Sequence, residues 1–288
     1  MTYGQPCSIR NDSVYVIQSL RQGDIETGTL LHYSVIAPNA QKRHVCFRTP
    51  GTKQEFINVL EDIRNELLVR SHVSVAAPIL HIEVHGGPNG IQLGNDERVS
   101  WNELKVPLQR INVVSQMNTL VVLSACNGSF LVNTIQPNER SPAFAIIGPR
   151  NAADASDLLD DLGAFYRVFL KAKGDLDFEQ AWQKLDESTR VSWQRYTANE
   201  VFRFVYKQFE SSWTAPEAVA NRKDCIMSQL AAVHGDVAME ELERMSTDWL
   251  TNPEPHFDVV KHPFYMIDLF PKNAERFPVT HDEIIPNV

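Results

Sequence analysis

The chain has 288 residues, 43% hydrophobic and 22% charged, the composition of a soluble globular protein with one large domain or a domain and an appendage. Its net charge of −9 argues against non-specific binding to nucleic acid or to an anionic membrane surface. The four cysteines, Cys7, Cys46, Cys126 and Cys225, are scattered and form no Cys-x-x-Cys, which argues against a zinc ribbon or a disulfide scaffold.

Met1 to Asp12 is polar and predicts no signal peptide, and no apolar run is long enough to span a bilayer. The expectation is a cytoplasmic protein whose thiols stay reduced. Ser13 to Leu20 is β-branched and aromatic and reads as a strand. Gln22-Gly23-Asp24 and Thr27-Gly28-Thr29 are turn chemistry. Gly28 to Ile36 fits either a helix or a strand. Lys42 to Arg48 reads as a strand with Cys46 buried in it. Thr52 to Val69 is an amphipathic helix, with Phe56, Val59, Leu60, Ile63, Leu67 and Leu68 at helical spacing.

Val73 to Val84 is a predicted central strand, followed by a tight turn over Gly86 to Gly90. Ile91 to Leu93 and Glu97 to Val99 form the arms of a small hairpin. Ser100 with Glu103 makes a capping box, opening a helix that Pro107 interrupts. Leu120 to Ser124 and Ala143 to Gly148 are further strands, separated by a part loop-like stretch over Asn127 to Arg140. Ser156 to Lys173 and Phe178 to Ser188 are helices. From about Tyr196 three helices follow with no strand between them, over Asn199 to Ser211, Pro216 to Val233 and Val237 to Leu250. A Pro-containing tail from His256 looks irregular but carries the apolar run Phe264 to Phe270.

The alternation of strand and helix predicts an α/β fold, with a mostly parallel sheet, helices on both faces and a C-terminal helical segment. The expected organisation is one domain over 1–195 and a helical extension over 196–288 that packs on it.

Two strand ends carry the chemistry. Ile79-Leu80-His81-Ile82-Glu83-Val84-His85-Gly86-Gly87 ends in a histidine, and Leu120-Val121-Val122-Leu123-Ser124-Ala125-Cys126-Asn127-Gly128 ends in a cysteine. In a parallel sheet, reactive side chains sit at the carboxyl ends of the strands. A thiol attacks as thiolate and gains from a nearby imidazole, so His85 and Cys126 form a candidate base and nucleophile. Backbone N–H groups at Gly86 and Cys126 are candidate oxyanion donors. Gly86 is read as a turn residue that takes conformations closed to others, and Gly128 as the point where the chain folds away. This scheme needs no metal and no cofactor. The plainer alternative is a buried, inert cysteine and a satisfied histidine. A third reading sets His81, Glu83 and His85 on one strand face as metal ligands, although His-Glu-x-x-His is absent.

The two blocks resemble the His-Gly and Ser-Ala-Cys-x-Gly blocks of caspase-like cysteine peptidases, the CHAT type above all, which is related to caspases and separase. Gly163 to Leu170, Gly174 and Phe178-Glu179-Gln180-Ala181 resemble the Phe-Tyr helix and the following helix of CHAT domains. The match covers about Val73 to Leu185. It implies a caspase-haemoglobinase-like fold and a peptide-cleaving dyad of His85 and Cys126, with the Gly86 and Cys126 amides as the oxyanion hole. It also implies an acidic residue that reads a basic P1 side chain, here Asp154, with Asp157 as the alternate. The family's Trp-containing block is replaced by Gly148-Pro149-Arg150-Asn151-Ala152-Ala153, and either aspartate has a competing role as a helix cap.

The expected partners are a protein substrate and a separate sensor or activator protein, as in bacterial defence or signalling systems, with no membrane and no direct nucleic-acid binding. The competing function is a catalytically silent caspase-like binding or scaffold module. Other features read plainly. Asp157, Asp160 and Asp161 form a solvated helix face, His256 and His262 face solvent, His234-Gly235 ends a helix, and the five tryptophans are core or interface anchors.

Overall fold

A computed structural model describes residues 11–72, 74–171, 176–233, 240–241, 243–244, 250 and 254–285. The described residues form an α/β fold around an eight-stranded, mostly parallel sheet. Strand β1 (Ser13–Ser19) is buried at all seven positions. It pairs in parallel with β2 (His44–Arg48) on one side and β3 (Pro78–Gly87) on the other. The order continues through β6 (Leu120–Ser124) and β7 (Ala145–Pro149), both parallel, to an antiparallel edge strand β8 (Trp193–Thr197). Strands β4 (Gly90–Gln92) and β5 (Arg98–Ser100) form a hairpin on the far end of β3. Burial on both faces explains why β1, β6 and β7 read as unbroken apolar runs rather than as alternating ones.

The first crossover runs from β1 outward to β2 through α1 (Thr27–Leu31), a π-helical turn (His32–Ile36) and α2 (Ala37–Asn39). The next returns past β1 to β3 through α3 (Lys53–Ser71). The two connections move in opposite directions, so right-handed crossovers put α1 and α3 on opposite faces. Helix α4 (Trp101–Val114) packs with α3, whereas α5 (Ala155–Phe169) packs with α1 and with α6 (Leu176–Asp186). Leu158, Leu162, Phe165, Tyr166 and Phe169 line the buried face of α5. At roughly 1.5–3 kcal/mol for each large apolar side chain, this stripe fixes α5 far more firmly than any cap.

Local chemistry accounts for several boundaries. Thr52 and Glu55, and Ser100 and Glu103, both form complete capping boxes. Ser100→Ala is expected to destabilise the protein by about 1 kcal/mol in denaturant unfolding, with an unchanged slope. Pro107 lies inside α4 rather than ending it. Thr27-Gly28-Thr29 opens a helix instead of forming a turn, because Gln18 and Glu83 hold its side chains from the sheet. Leu68 is 44% exposed and lies off the apolar stripe of α3.

β8 was hidden from periodicity, because only Trp193 of Trp193-Gln194-Arg195-Tyr196-Thr197 is buried. The sequence boundary at 195/196 therefore falls inside a strand. One compact unit comprises residues 1–135 and 141–198, and the other 136–140 and 199–288. The second unit holds α7 (Ala198–Trp213) from its second residue on, α8 (Pro216–Val233), α9 (Glu254–Phe264), α10 (Asn273–Arg276) and α11 (His281–Ile284). The predicted helix Val237 to Leu250 and the His234-Gly235 pair lie mostly or wholly outside the described residues. The described part of the tail is irregular only in part, since the helices Glu254–Phe264, Asn273–Arg276 and His281–Ile284 alternate in it with turns. Phe264, Tyr265 and Met266 are fully buried, with Phe264 and Tyr265 against Phe202. His256 is 8% exposed rather than solvent-facing, and its ring packs on Trp213. No helix among the described residues is long and apolar enough to cross a membrane.

Candidate active site

Strand order reverses between β1 and β3, and ligands of such sheets bind in the crevice beyond the carboxyl ends at that point. His85 stands at this edge, though not in a turn. The parallel ladder of β3 and β6 ends at Glu83 opposite Ser124, and β3 then runs on to pair with β4 through Gly87. His85 and Cys126 are thus each two residues beyond the last parallel pair, on neighbouring strands.

The backbones of the two tips touch. A Cβ on Gly86 would stand 2.0 Å from the Cys126 carbonyl oxygen and 2.9 Å from its amide nitrogen. Gly86 is not a positive-φ residue, contrary to the expectation from sequence. Its lack of a side chain serves close approach instead. The sharp turn after Cys126 is likewise made by Asn127, at φ 58°, and not by Gly128. Gly128 is needed because its Cβ would meet Leu123 Cβ at 2.9 Å. The Asn127 amide donates to the Asn151 carbonyl and the Gly128 amide to that of Ala125. No acceptor among the described residues takes the Cys126 amide. Gly86, the other expected oxyanion donor, lies in the ladder opposite Ile91.

The His85 side chain is 37% exposed and pairs through Nε2 with Asp24 Oδ2 at 2.7 Å. Sequence reasoning missed Asp24. The available signal was an aspartate just after β1, at the same sheet edge and beside a glycine that takes φ 96°. The same Oδ2 accepts the Arg21 amide at 2.7 Å. Hydrogen bonding from His85 is the main reason the Asp24 carboxyl is held below its usual range. With Nε2 committed to Asp24, Nδ1 is the nitrogen left to act as base. The Cys126 thiol is part-buried and donates to the Ala153 carbonyl at 3.8 Å. No hydrogen bond joins His85 to Cys126 among the described residues.

The two candidate specificity residues differ. Asp154 is exposed at the N-cap position of α5, one residue beyond the carbonyl that meets the thiol, and its side chain makes no capping bond. Asp157 is not free and does not cap either. It pairs with Arg190 at 2.9 Å, and Arg190 also binds Asp160 and Asp161. The acidic run is therefore an ion-pair cluster around Arg190, in which Asp160 alone stays largely solvated. Asp161 is buried and also accepts from the Trp193 indole. The metal reading fails on geometry. His81 Nε2 bonds Glu83 and Nδ1 bonds Tyr166, while His85 turns to Asp24. Among the described residues no group of three or more His, Cys, Asp or Glu is placed to hold a metal ion. A scan against protein-family models and a search of curated proteins found no match for this chain.

Proposed function

We propose that the chain is a cysteine endopeptidase of the caspase-like type, with Cys126 as nucleophile and His85 as base. The observation that carries this reading is the meeting of the two tips, with an imidazole already held by a carboxylate. Asp24 accepts a hydrogen bond from the Nε2–H, which leaves the Nδ1 lone pair to take the proton of the Cys126 thiol. The thiolate adds to a peptide carbonyl, and the free Cys126 amide donates to the developing oxyanion. The imidazolium returns its proton to the leaving amine, and water then hydrolyses the thioester. Asp24 keeps its charge throughout and stabilises the imidazolium.

Asp154 is the residue for a basic P1 side chain, since Asp157 already has a cationic partner. Asp154→Asn is expected to slow reaction with an arginyl probe about tenfold, the size of one lost charge-assisted bond, while Asp157→Asn leaves it unchanged. Comparing the two rates checks the assignment. An effector role in bacterial defence or signalling, under a separate activator, belongs to this reading by resemblance alone.

A second reading, a silent binding module, is favoured by one observation: the thiol faces the Ala153 carbonyl and not the imidazole. Labelling with arginyl and lysyl peptides that carry a thiol-reactive group, followed by mass mapping, separates the two. Labelling at Cys126 that disappears in His85→Ala supports the peptidase. A folded protein that no arginyl, lysyl or aspartyl probe labels at Cys126 supports the silent module.

A further inference from the structure

Beneath the site lies a buried cluster that the proposed reaction does not use. Thr27, His81, Glu83, Ser124 and Tyr166 are all 4% exposed or less. Glu83 Oε1 accepts from Thr27 Oγ1 at 2.7 Å and from Ser124 Oγ at 3.0 Å. Glu83 Oε2 meets His81 Nε2 at 3.1 Å, and His81 Nδ1 meets the Tyr166 hydroxyl at 3.1 Å. Burial holds the Tyr166 hydroxyl well above its usual pKa, so it keeps its proton and donates. His81 Nδ1 is then an acceptor, and Nε2 carries the ring proton and donates to Glu83. One carboxylate thus receives three donors, the arrangement that makes a buried carboxylate tolerable.

The hydroxyls of the cluster are buried and turned to Glu83 and His81, so none faces the site as a nucleophile. Through Glu83 the cluster joins three chain segments, each within three positions of a site residue. Thr27 opens α1, three positions after Asp24. Glu83 precedes His85 by two positions, and Ser124 precedes Cys126 by two. Gly28 allows the same closure, since a Cβ there would stand 3.2 Å from both Glu83 Cβ and Cγ. The loop that carries Asp24 is fastened at its other end as well, where Ser19 Oγ donates to the Pro50 carbonyl.

We propose that Glu83 is the positioning residue of this site, tying α1, β3 and β6 together so that Asp24, His85 and Cys126 keep one mutual geometry. This rests on the peptidase reading of the same site. Glu83 acts through the backbone it fastens and touches no reacting atom. Releasing one tie loosens the distance between imidazole and thiol, and a misplacement of about 1 Å is enough to cost a hundredfold. The strand ladders and the apolar core are contacts separate from this tie, so the sheet is expected to stay folded when one hydroxyl is removed.

The test is the pH profile of Cys126 alkylation by iodoacetamide in the full chain, mapped by mass, with thermal unfolding followed alongside. In the wild type, alkylation at neutral pH is expected to exceed that of His85→Ala. Ser124→Ala and Thr27→Val each remove one hydroxyl without adding bulk. Both are expected to lower the neutral-pH rate about tenfold and to move the profile toward that of His85→Ala, with the folded baseline retained. Glu83→Gln is expected to do more. Should that variant not fold, the two hydroxyl variants still decide. Folded Ser124→Ala and Thr27→Val proteins with the wild-type profile would overturn the proposal. A wild-type profile identical to that of His85→Ala overturns the peptidase reading itself, and this proposal with it.

Discussion

Gly86→Ala is expected to disable the candidate site while leaving the parallel sheet in place. The added Cβ would stand 2.0 Å from the Cys126 carbonyl oxygen and 2.9 Å from both the carbonyl carbon and the amide nitrogen. These atoms are backbone, so no side-chain rotation relieves the overlap. Either β3 or the turn after β6 must move by about 1 Å, and displacements of that size cost about a hundredfold in rate. Overpacking costs roughly 1–3 kcal/mol of stability in addition. Gly87→Ala is the control, since nothing lies within 4 Å of its Cβ. Peptide-warhead labelling of Cys126 should fall about a hundredfold in the first variant and stay unchanged in the second. Equal labelling in the two would mean that the tips are not packed as described.

The same residue shows where sequence reasoning reached and where it stopped. The strand before Cys126 is legible because a strand buried on both faces reads as an unbroken apolar run, and the one that carries His85 because Ile79, Leu80, Ile82 and Val84 keep it apolar around His81 and Glu83 up to the glycines that follow. Both helix starts at Thr52 and Ser100 were legible because capping boxes are local. A glycine, by contrast, does not say why it is glycine. Gly86 serves contact with a strand that lies far off in sequence, which no local pattern encodes. Asp24 escaped for a similar reason. Its partner is 61 residues away, and its own neighbourhood, Gln22-Gly23-Asp24, reads only as a turn. Glu83 reads in sequence as one side chain on a strand face, and two of its three donors, Thr27 and Ser124, come from distant places in the chain. β8 was missed because it is an edge strand with one buried residue, too little for periodicity to register.

Asp24 supplies the other large effect, and there the atoms decide between two substitutions. In many hydrolytic triads an amide in place of the carboxylate turns its NH2 to the histidine and fixes the wrong tautomer. Here one oxygen, Oδ2, accepts both the His85 Nε2 proton and the Arg21 amide. An asparagine that sets its carbonyl oxygen there keeps both bonds and points its NH2 away, so Asp24→Asn retains the tautomer and loses only the charge. A charge-assisted bond is roughly twice as strong as a neutral one, a difference of about 1.5 kcal/mol, or about tenfold in rate. Asp24→Ala loses the tautomer, the orientation and the charge together, and its labelling rate is expected to fall at least about a hundredfold. A thousandfold loss in Asp24→Asn would show that the amide does flip and that Oδ2 is not the shared acceptor. The pH dependence carries a definite sign. Because the folded carboxyl titrates below its ordinary 3.8, its contribution is complete above that value and is lost as the pH falls through the lowered one. A decline in Cys126 labelling that sets in at pH values above 3.8 therefore belongs to groups other than the Asp24 carboxyl itself.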